Sequence, residues 1–339
     1  SEIVVKLHDG REIPAAIVGT DSTTDLALLK MENVSDLQAV TLGDSEALEV
    51  GEWVMAIGNP FGLEETVTVG VLSAKGRVIG AGPYDDFLQT DTSINPGNSG
   101  GALVNINGEL IGINTAITSQ TGSYVGYAFA VPSNIAKKIV QDIMEYGDVQ
   151  RGILGVSGMS LNTAVAKELE VSETEGFYVG GLEYDSGAEK AGIKKGDVIK
   201  EVDGIHITKF ADLSGYLNAK RPNDVVQVKI VRDGKEKTVP VTLFKLETYK
   251  IGSVGLEVKN ASPRELKQYG VKHGVVINNT LSEDMQRYNL RGILITEIDD
   301  EGVSNIKDVE KIMSDKSSEE PISITFVNKD GERNRFIFR

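Results

Sequence analysis

The sequence predicts a mostly β protein, in which a β-rich body is followed by two smaller α+β modules. Three observations predict this. Apolar runs of about four to eight residues recur between turn signals throughout residues 1–131. Glycine is abundant, at 37 of 339 residues, while aromatics make up only 6%. Beyond residue 148 the chain reads twice through one order of strands and short helices. A chain of this length exceeds what a single core fills, so two or three domains are expected.

The elements follow in order. IVVKL alternates and ends in the turn HDG; IPAAIVG and LALLK come next, then WVMAIG, TVTVGVLSA, FLQTD, GALVN, INGELIGINTAI and YVGYAFAV. SNIAKKIVQDIMEYG is the first predicted helix. Ser133 stands at its N-cap, Ile135, Ile139, Ile143 and Met144 share one face, and Gly147 lies past its end. A helix closing a β body sets the first domain at 1–147. RGILGV at 151–156 and GSVGLEV at 252–258 then open two modules, 148–245 and 249–339, with FKLETYK at 244–250 as the hinge. In each module a strand follows (GFYVGGL, GVVINNT), then GIKKGDVIKEVDG or NLRGILITEIDDEG, a helix (FADLSGYLNA, IKDVEKIM) and a strand pair. The pairs turn at RDGK and KDGE, and Asp-Gly between β runs is a strong hairpin signal.

Composition excludes several function classes. The net charge of −15 opposes a broad electrostatic grip on nucleic acid or anionic lipid. No run approaches the ~18 apolar residues of a membrane span, so no stable membrane insertion is expected. With no cysteine, neither disulfides, thiol chemistry nor a Cys-based zinc site is available. No phosphate-binding GxxxxGK[ST] loop occurs. The opening SEIVVKLHDG has no charged segment leading an apolar core and reads as a strand, not a signal peptide.

DTSINPGNSGG, residues 91–101, carries the chemistry. A serine between glycines allows a sharp backbone turn that aims N–H groups inward, and acyl transfer needs a hydroxyl beside such donors. Gly97 permits a conformation closed to residues with a Cβ, so its N–H and that of Ser99 form a candidate oxyanion hole. Taken alone, GNSGG fits equally well a glycine-rich loop between strands. Its neighbours decide: AIGNPFG at 56–62, TDLALLK at 24–30, GALVN, INGELIGINTAI and YAFAVPSN. Together these closely resemble the HtrA/Deg serine proteases over nearly the whole chain. The resemblance implies a trypsin-like double β-barrel protease domain, its N-terminal barrel incomplete in this chain, followed by two α+β PDZ domains.

It also implies roles. Ser99 matches the nucleophile and Asp25, otherwise a turn residue or helix cap, matches the triad aspartate. Gly97, Asn98 and Ser99 match the oxyanion loop. Asn114, Ile117 and Thr118 match the specificity pocket, whose lack of an acidic residue implies cleavage after small aliphatic residues. The family's histidine base has no counterpart among His8, His206 and His273; it is expected a few residues before Ser1. Without it the chain cannot run triad chemistry at useful rates.

RGILGV and GSVGLEV resemble PDZ carboxylate-binding loops, in which N–H groups meet a peptide C-terminus while the next strand pairs with the peptide. The candidates are Ile153, Leu154, Gly155 and Val156, then Val254, Gly255, Leu256 and Val258. Taken alone, each segment is equally an ordinary core strand. The second module departs from the pattern, with Ile293 where the first has Asp197, which points toward regulation or assembly. The implied function is ATP-independent degradation of unfolded proteins in the periplasm, by a homo-oligomer of trimers or their multiples, with no metal or organic cofactor. The alternative is a chaperone or peptide-binding scaffold that does not cut.

Overall fold

The computed structural model describes residues 3–21, 23–59, 66–77, 79, 86–117, 126–317 and 320–338. The chain divides into two compact units, residues 1–244 and 245–339.

The first unit opens on an antiparallel sheet of β1 (Ile3–Lys6), β2 (Glu12–Asp21) and β3 (Leu26–Met31). The β1–β2 turn closes where Gly10, at φ 85°, donates to the Leu7 carbonyl at 2.9 Å. Six strands then form a closed barrel: β4 (Trp53–Gly58), β5 (Thr66–Arg77), β6 (Phe87–Thr90), β7 (Ala102–Asn105), β8 (Leu110–Ile117) and β9 (Ala128–Pro132), in the spatial order β4-β5-β6-β9-β8-β7. Strand alternation sends Val54, Ala56, Leu72, Leu103 and Ile111 into its interior. A three-stranded sheet beside one closed barrel agrees with the expected mostly β body.

Helix α1 (Ser133–Tyr146) follows β9 directly. Ile135, Ile139 and Ile143 pack with Phe87 and Phe129, and Ile143 also rests on β2 where Gly19 leaves it room. Met144, predicted on the same face, is exposed. Ser133 does not cap the helix. Pro132 takes that position, and the Ser133 hydroxyl instead donates to the Gly43 carbonyl at 2.9 Å. Gly147 ends the helix at φ 74°.

The first α+β module holds β10 (Val156–Ser160), α2 (Thr163–Glu168), β11 (Phe177–Leu182), α3 (Gly187–Lys190), β12 (Val198–Val202), β13 (Ile205–His206), α4 (Phe210–Asn218), β14 (Val225–Arg232) and β15 (Lys235–Thr242). Its sheet order is β10-β11-β12-β14-β15, with β13 paired to β12. The predicted RDGK hairpin turns through Asp233 and Gly234, both at positive φ as a two-residue loop requires. Two ion pairs fasten this module to the β body before it: Arg151 to Asp21 at 2.5 Å and Arg221 to the buried Asp142 at 2.8 Å.

The second unit holds β16 (Thr248–Ile251), β17 (Leu256–Asn260), α5 (Pro263–Gln268), β18 (Val275–Thr280), α6 (Glu283–Gln286), β19 (Leu294–Ile298), β20 (Glu301–Gly302), α7 (Ile306–Ser314), β21 (Ile322–Val327) and β22 (Arg333–Phe338). From β17 to β22 it repeats β10 to β15 strand for strand. One joint recurs as well. Ser160 Oγ accepts the Phe210 N–H at 2.7 Å, and Asn260 Oδ1 accepts the Ile306 N–H at 2.8 Å, so each module ties the end of its strand to the start of its long helix. The addition is β16, which pairs antiparallel with β17 and packs against α7. The last three residues of the stretch expected as a hinge, 248–250, therefore belong to a strand.

Candidate active site and peptide-binding modules

The loop leading into β7 is fixed from both ends. Asp91 Oδ1 accepts the Val71 N–H at 2.6 Å, and Ile94 is buried in the barrel core. A tight turn follows, in which Asn98 donates to the Asn95 carbonyl at 3.0 Å and Gly101 to the Asn98 carbonyl at 2.9 Å. Gly97 and Gly100 hold φ of 107° and 84°, so only glycine takes these positions without strain. The Gly100 N–H reaches the Asn114 carbonyl at 2.7 Å, and Asn114 returns a bond to the Gly101 carbonyl at 2.9 Å, locking the loop to β8.

Ser99 is thereby presented to solvent. Its hydroxyl donates to the Thr115 carbonyl at 2.9 Å. The N–H groups of Gly97 and Ser99 donate to nothing within the described residues. Asn98, expected in the oxyanion loop, contributes no free N–H. Its side chain is buried, with Nδ2 3.4 Å from the Ser93 carbonyl and Oδ1 without a partner. Asn114 is also buried, its Nδ2 donating to the Ala102 carbonyl at 3.1 Å, so it braces β7 against β8. Ile117 ends β8 opposite Ala128. Thr118 lies outside the described residues.

Asp25 is exposed in the β2–β3 turn at φ 57° and shares no hydrogen bond with Ser99. Its turn is organised by Asp21, four residues earlier and buried. Asp21 accepts the Thr24 hydroxyl at 2.7 Å, the Thr23 N–H at 3.2 Å and Arg151. Burial pushes this carboxyl up, but the Arg151 charge and the three hydrogen bonds outweigh it and hold it below the usual carboxylate range. Sequence reasoning missed Asp21, Arg151 and Thr115. Only the DSTTD spacing hinted at the first, and nothing marked the other two. None of the three histidines bonds to Ser99: His206 meets Glu175 at 3.1 Å, His273 meets the Val303 carbonyl at 2.9 Å, and His8 makes no hydrogen bond among the described residues.

Residues 1–113 match the trypsin-like peptidase domain and residues 152–243 match the PDZ domain. The periplasmic serine endoprotease DegP of Escherichia coli K12 is 41% identical over 319 residues, spanning 93% of this chain and 67% of that protein. A probable periplasmic serine protease of Haemophilus influenzae, described as do/HhoA-like, is 40% identical over 329 residues, or 95% of this chain and 70% of the relative. The chain belongs to the HtrA/DegP family of periplasmic serine endoproteases. Among solved structures, the HtrA-type protease AlgW with a decapeptide superposes with a TM-score of 0.59 at 42% identity, covering 72% of this chain and 75% of that one. The HtrA/DegP chain is thus a serine endopeptidase with a trypsin-like body and a PDZ domain.

The two modules of this HtrA/DegP protein differ at their loops. In the first, β10 is an edge strand beside α4. Ile153 exchanges backbone bonds with Phe244, whereas the N–H groups of Leu154 and Gly155 have no acceptor among the described residues. The Leu154 side chain is core, so only its backbone is available, and Val156 begins β10. In the second, the N–H groups of Val254 and Gly255 both turn back onto the Ile251 carbonyl, at 3.1 and 2.9 Å. Leu256 and Val258 are buried in the core. The outer edge of β17 is already paired with β16.

Proposed function

We propose that Ser99 is the nucleophile of this endopeptidase, that the Gly97 and Ser99 N–H groups hold the oxyanion, and that Asp25 orients a histidine which the family resemblance places before Ser1. The observation that carries this reading is the pair of unspent N–H groups flanking an exposed serine hydroxyl. The Ser99 proton passes to the histidine, and Oγ leaves the Thr115 carbonyl to form a bond to the substrate carbonyl carbon. The C–N bond then breaks as the amine takes that proton, and water releases the acyl group. By the family resemblance, Asn114, Ile117 and Thr118 are assigned to the specificity site for small aliphatic side chains. The partition into 1–147, 148–245 and 249–339 is part of the same reading.

The first module captures peptides. The Leu154 and Gly155 N–H groups receive a C-terminal carboxylate, with Ile153 and Val156 beside them, and the peptide extends the sheet along β10. The second module has the same topology, but its Val254, Gly255 and Leu256 do not act this way: the donors are spent and β16 lies where a peptide strand would add. Substrates are unfolded proteins and their C-terminal peptides. A homo-oligomer, a trimer or its multiples, is supported by Trp53, Ile57, Val67 and Val69, which form an exposed apolar strip on the outer face of β4 and β5.

The test is cleavage of unfolded casein by the full-length protein and its Ser99→Ala variant. Loss of cutting in the variant alone supports the assignment. Persistent cutting removes it, and two inactive proteins that still hold casein favour the scaffold reading.

A further inference from the structure

We propose that the groove between the β1–β2 turn and the end of β4 receives the leaving-group side of the substrate chain, and that His8 there selects an acidic side chain within the first three residues after the scissile bond. The proposal rests on Ser99 being the nucleophile.

The barrel order supplies the direction. β7 pairs with β8 on one side, Ala102 opposite Ile113, and with β4 on the other, Ala56 opposite Leu103. The loop entering β7 therefore has two flanks. On the β8 flank lie Thr115, which holds Ser99 Oγ, and the strand bordering the proposed acyl pocket. On the β4 flank lies a cavity of about 660 Å³ whose walls include His8, Ile57, Asn59 and Gly97. Once the oxyanion is held by Gly97 and Ser99, an extended substrate that seats its acyl side along β8 sends the amine side toward β4. The segment freed when the C–N bond breaks is the one lying in this groove.

The floor and rim have different chemistry. Gly58, Gly97 and Gly101 line the groove with backbone alone. A Cβ on Gly58 would run into Asn98, and one on Gly101 would run into the Ile57 carbonyl, so the floor is closed to side chains. On the rim, Asp9 is committed to Arg11, accepting its N–H at 3.0 Å and its Nε at 2.7 Å. His8 is exposed and makes neither hydrogen bond nor ion pair among the described residues. In a protein of net charge −15, this rim is a local site where a carboxylate finds a donor, the His8 ring N–H.

The test uses the full-length protease and fluorogenic peptides that differ only by Asp or Asn at the first, second or third position after the scissile bond. At one position kcat/KM should favour Asp by about two- to fivefold, the range of one exposed hydrogen bond. His8→Glu should invert that ratio and His8→Lys should keep it. His8 sits on a surface turn, and far-UV circular dichroism checks that the variants are folded. No preference at any position, or a preference indifferent to His8→Glu, overturns the assignment. Cleavage that survives Ser99→Ala is a separate result, which removes the nucleophile reading and this proposal with it.

Discussion

Arg151, the first residue of the RGILGV loop, reaches 2.5 Å from Asp21, the residue that organises the turn carrying Asp25. The proposed peptide-binding loop and the proposed triad aspartate are thus joined through one carboxylate. Replacing Arg151 by Ala leaves a buried acceptor short of its partner, and stability should fall by about 1–2 kcal/mol in chemical denaturation. The Asp21 carboxyl lies below its usual range when folded, so its contribution is present above the usual 3.8 and is lost as pH falls through the lowered value. The gap between parent and variant should therefore be constant above about pH 4 and shrink below it. A gap that widens in acid would contradict the assignment.

Asp86 behaves oppositely. It sits against Gly215 of α4, and burial first, then Glu46 and Asp212, push its carboxyl up to about 6, with Lys75 opposing. Because the folded protein holds this proton longer than the unfolded chain, stability declines as pH rises from about 4 to 6, and the penalty is full above that. Asp86→Asn should be neutral near pH 4 and gain about 1–3 kcal/mol at pH 7. Paired urea titrations at the two pH values measure the difference.

The peptide sites are separable by amide NMR. Adding a hydrophobic peptide with a free C-terminus should shift the N–H signals of Leu154, Gly155 and β10, and leave those of Val254 and Gly255 in place. Amidating the peptide removes its charged acceptor and should weaken binding about 10- to 100-fold. Matching shifts in both loops would show that β16 is displaced.

Gly19 is an ordinary-looking strand residue on which a helix depends. A Cβ there would overlap the Ile143 side chain, so Gly19→Ala should cost about 1–3 kcal/mol in thermal unfolding. An unchanged midpoint would mean that α1 does not rest on β2.

Much of this was legible in the sequence because local chemistry decides it. Alternation placed the barrel strands, the Asp233-Gly234 pair fixed its hairpin, and the Ile135, Ile139, Ile143 spacing set the buried face of α1. Met144 misled because a fourth apolar residue on the stripe reaches past the surface it covers. Ser99 was picked out through the motifs around it that carry the family resemblance, since GNSGG alone fits a glycine-rich loop equally well. The Thr115 carbonyl and the Arg151–Asp21 pair were invisible: a backbone oxygen has no sequence signature, and the pair joins residues 130 positions apart. Ile293 in place of Asp197 was read as a sign of regulation or assembly, without its structural reason. In the first module Asp197 is buried and pairs with Arg232 at 2.6 Å, whereas Ile293 packs into the second core as an apolar replacement. Nothing in GSVGLEV announced that β16 would cover its strand.

The glycine floor beside Ser99 sets a limit on discrimination. A surface made of peptide groups offers every incoming residue the same partners, so it gauges chain shape and ignores chemical identity. Selectivity can then come only from the rim or from the far flank. Breadth of diet in such an enzyme is a property of its geometry, built in by the three positions where a methyl group cannot stand or the backbone will not accept one.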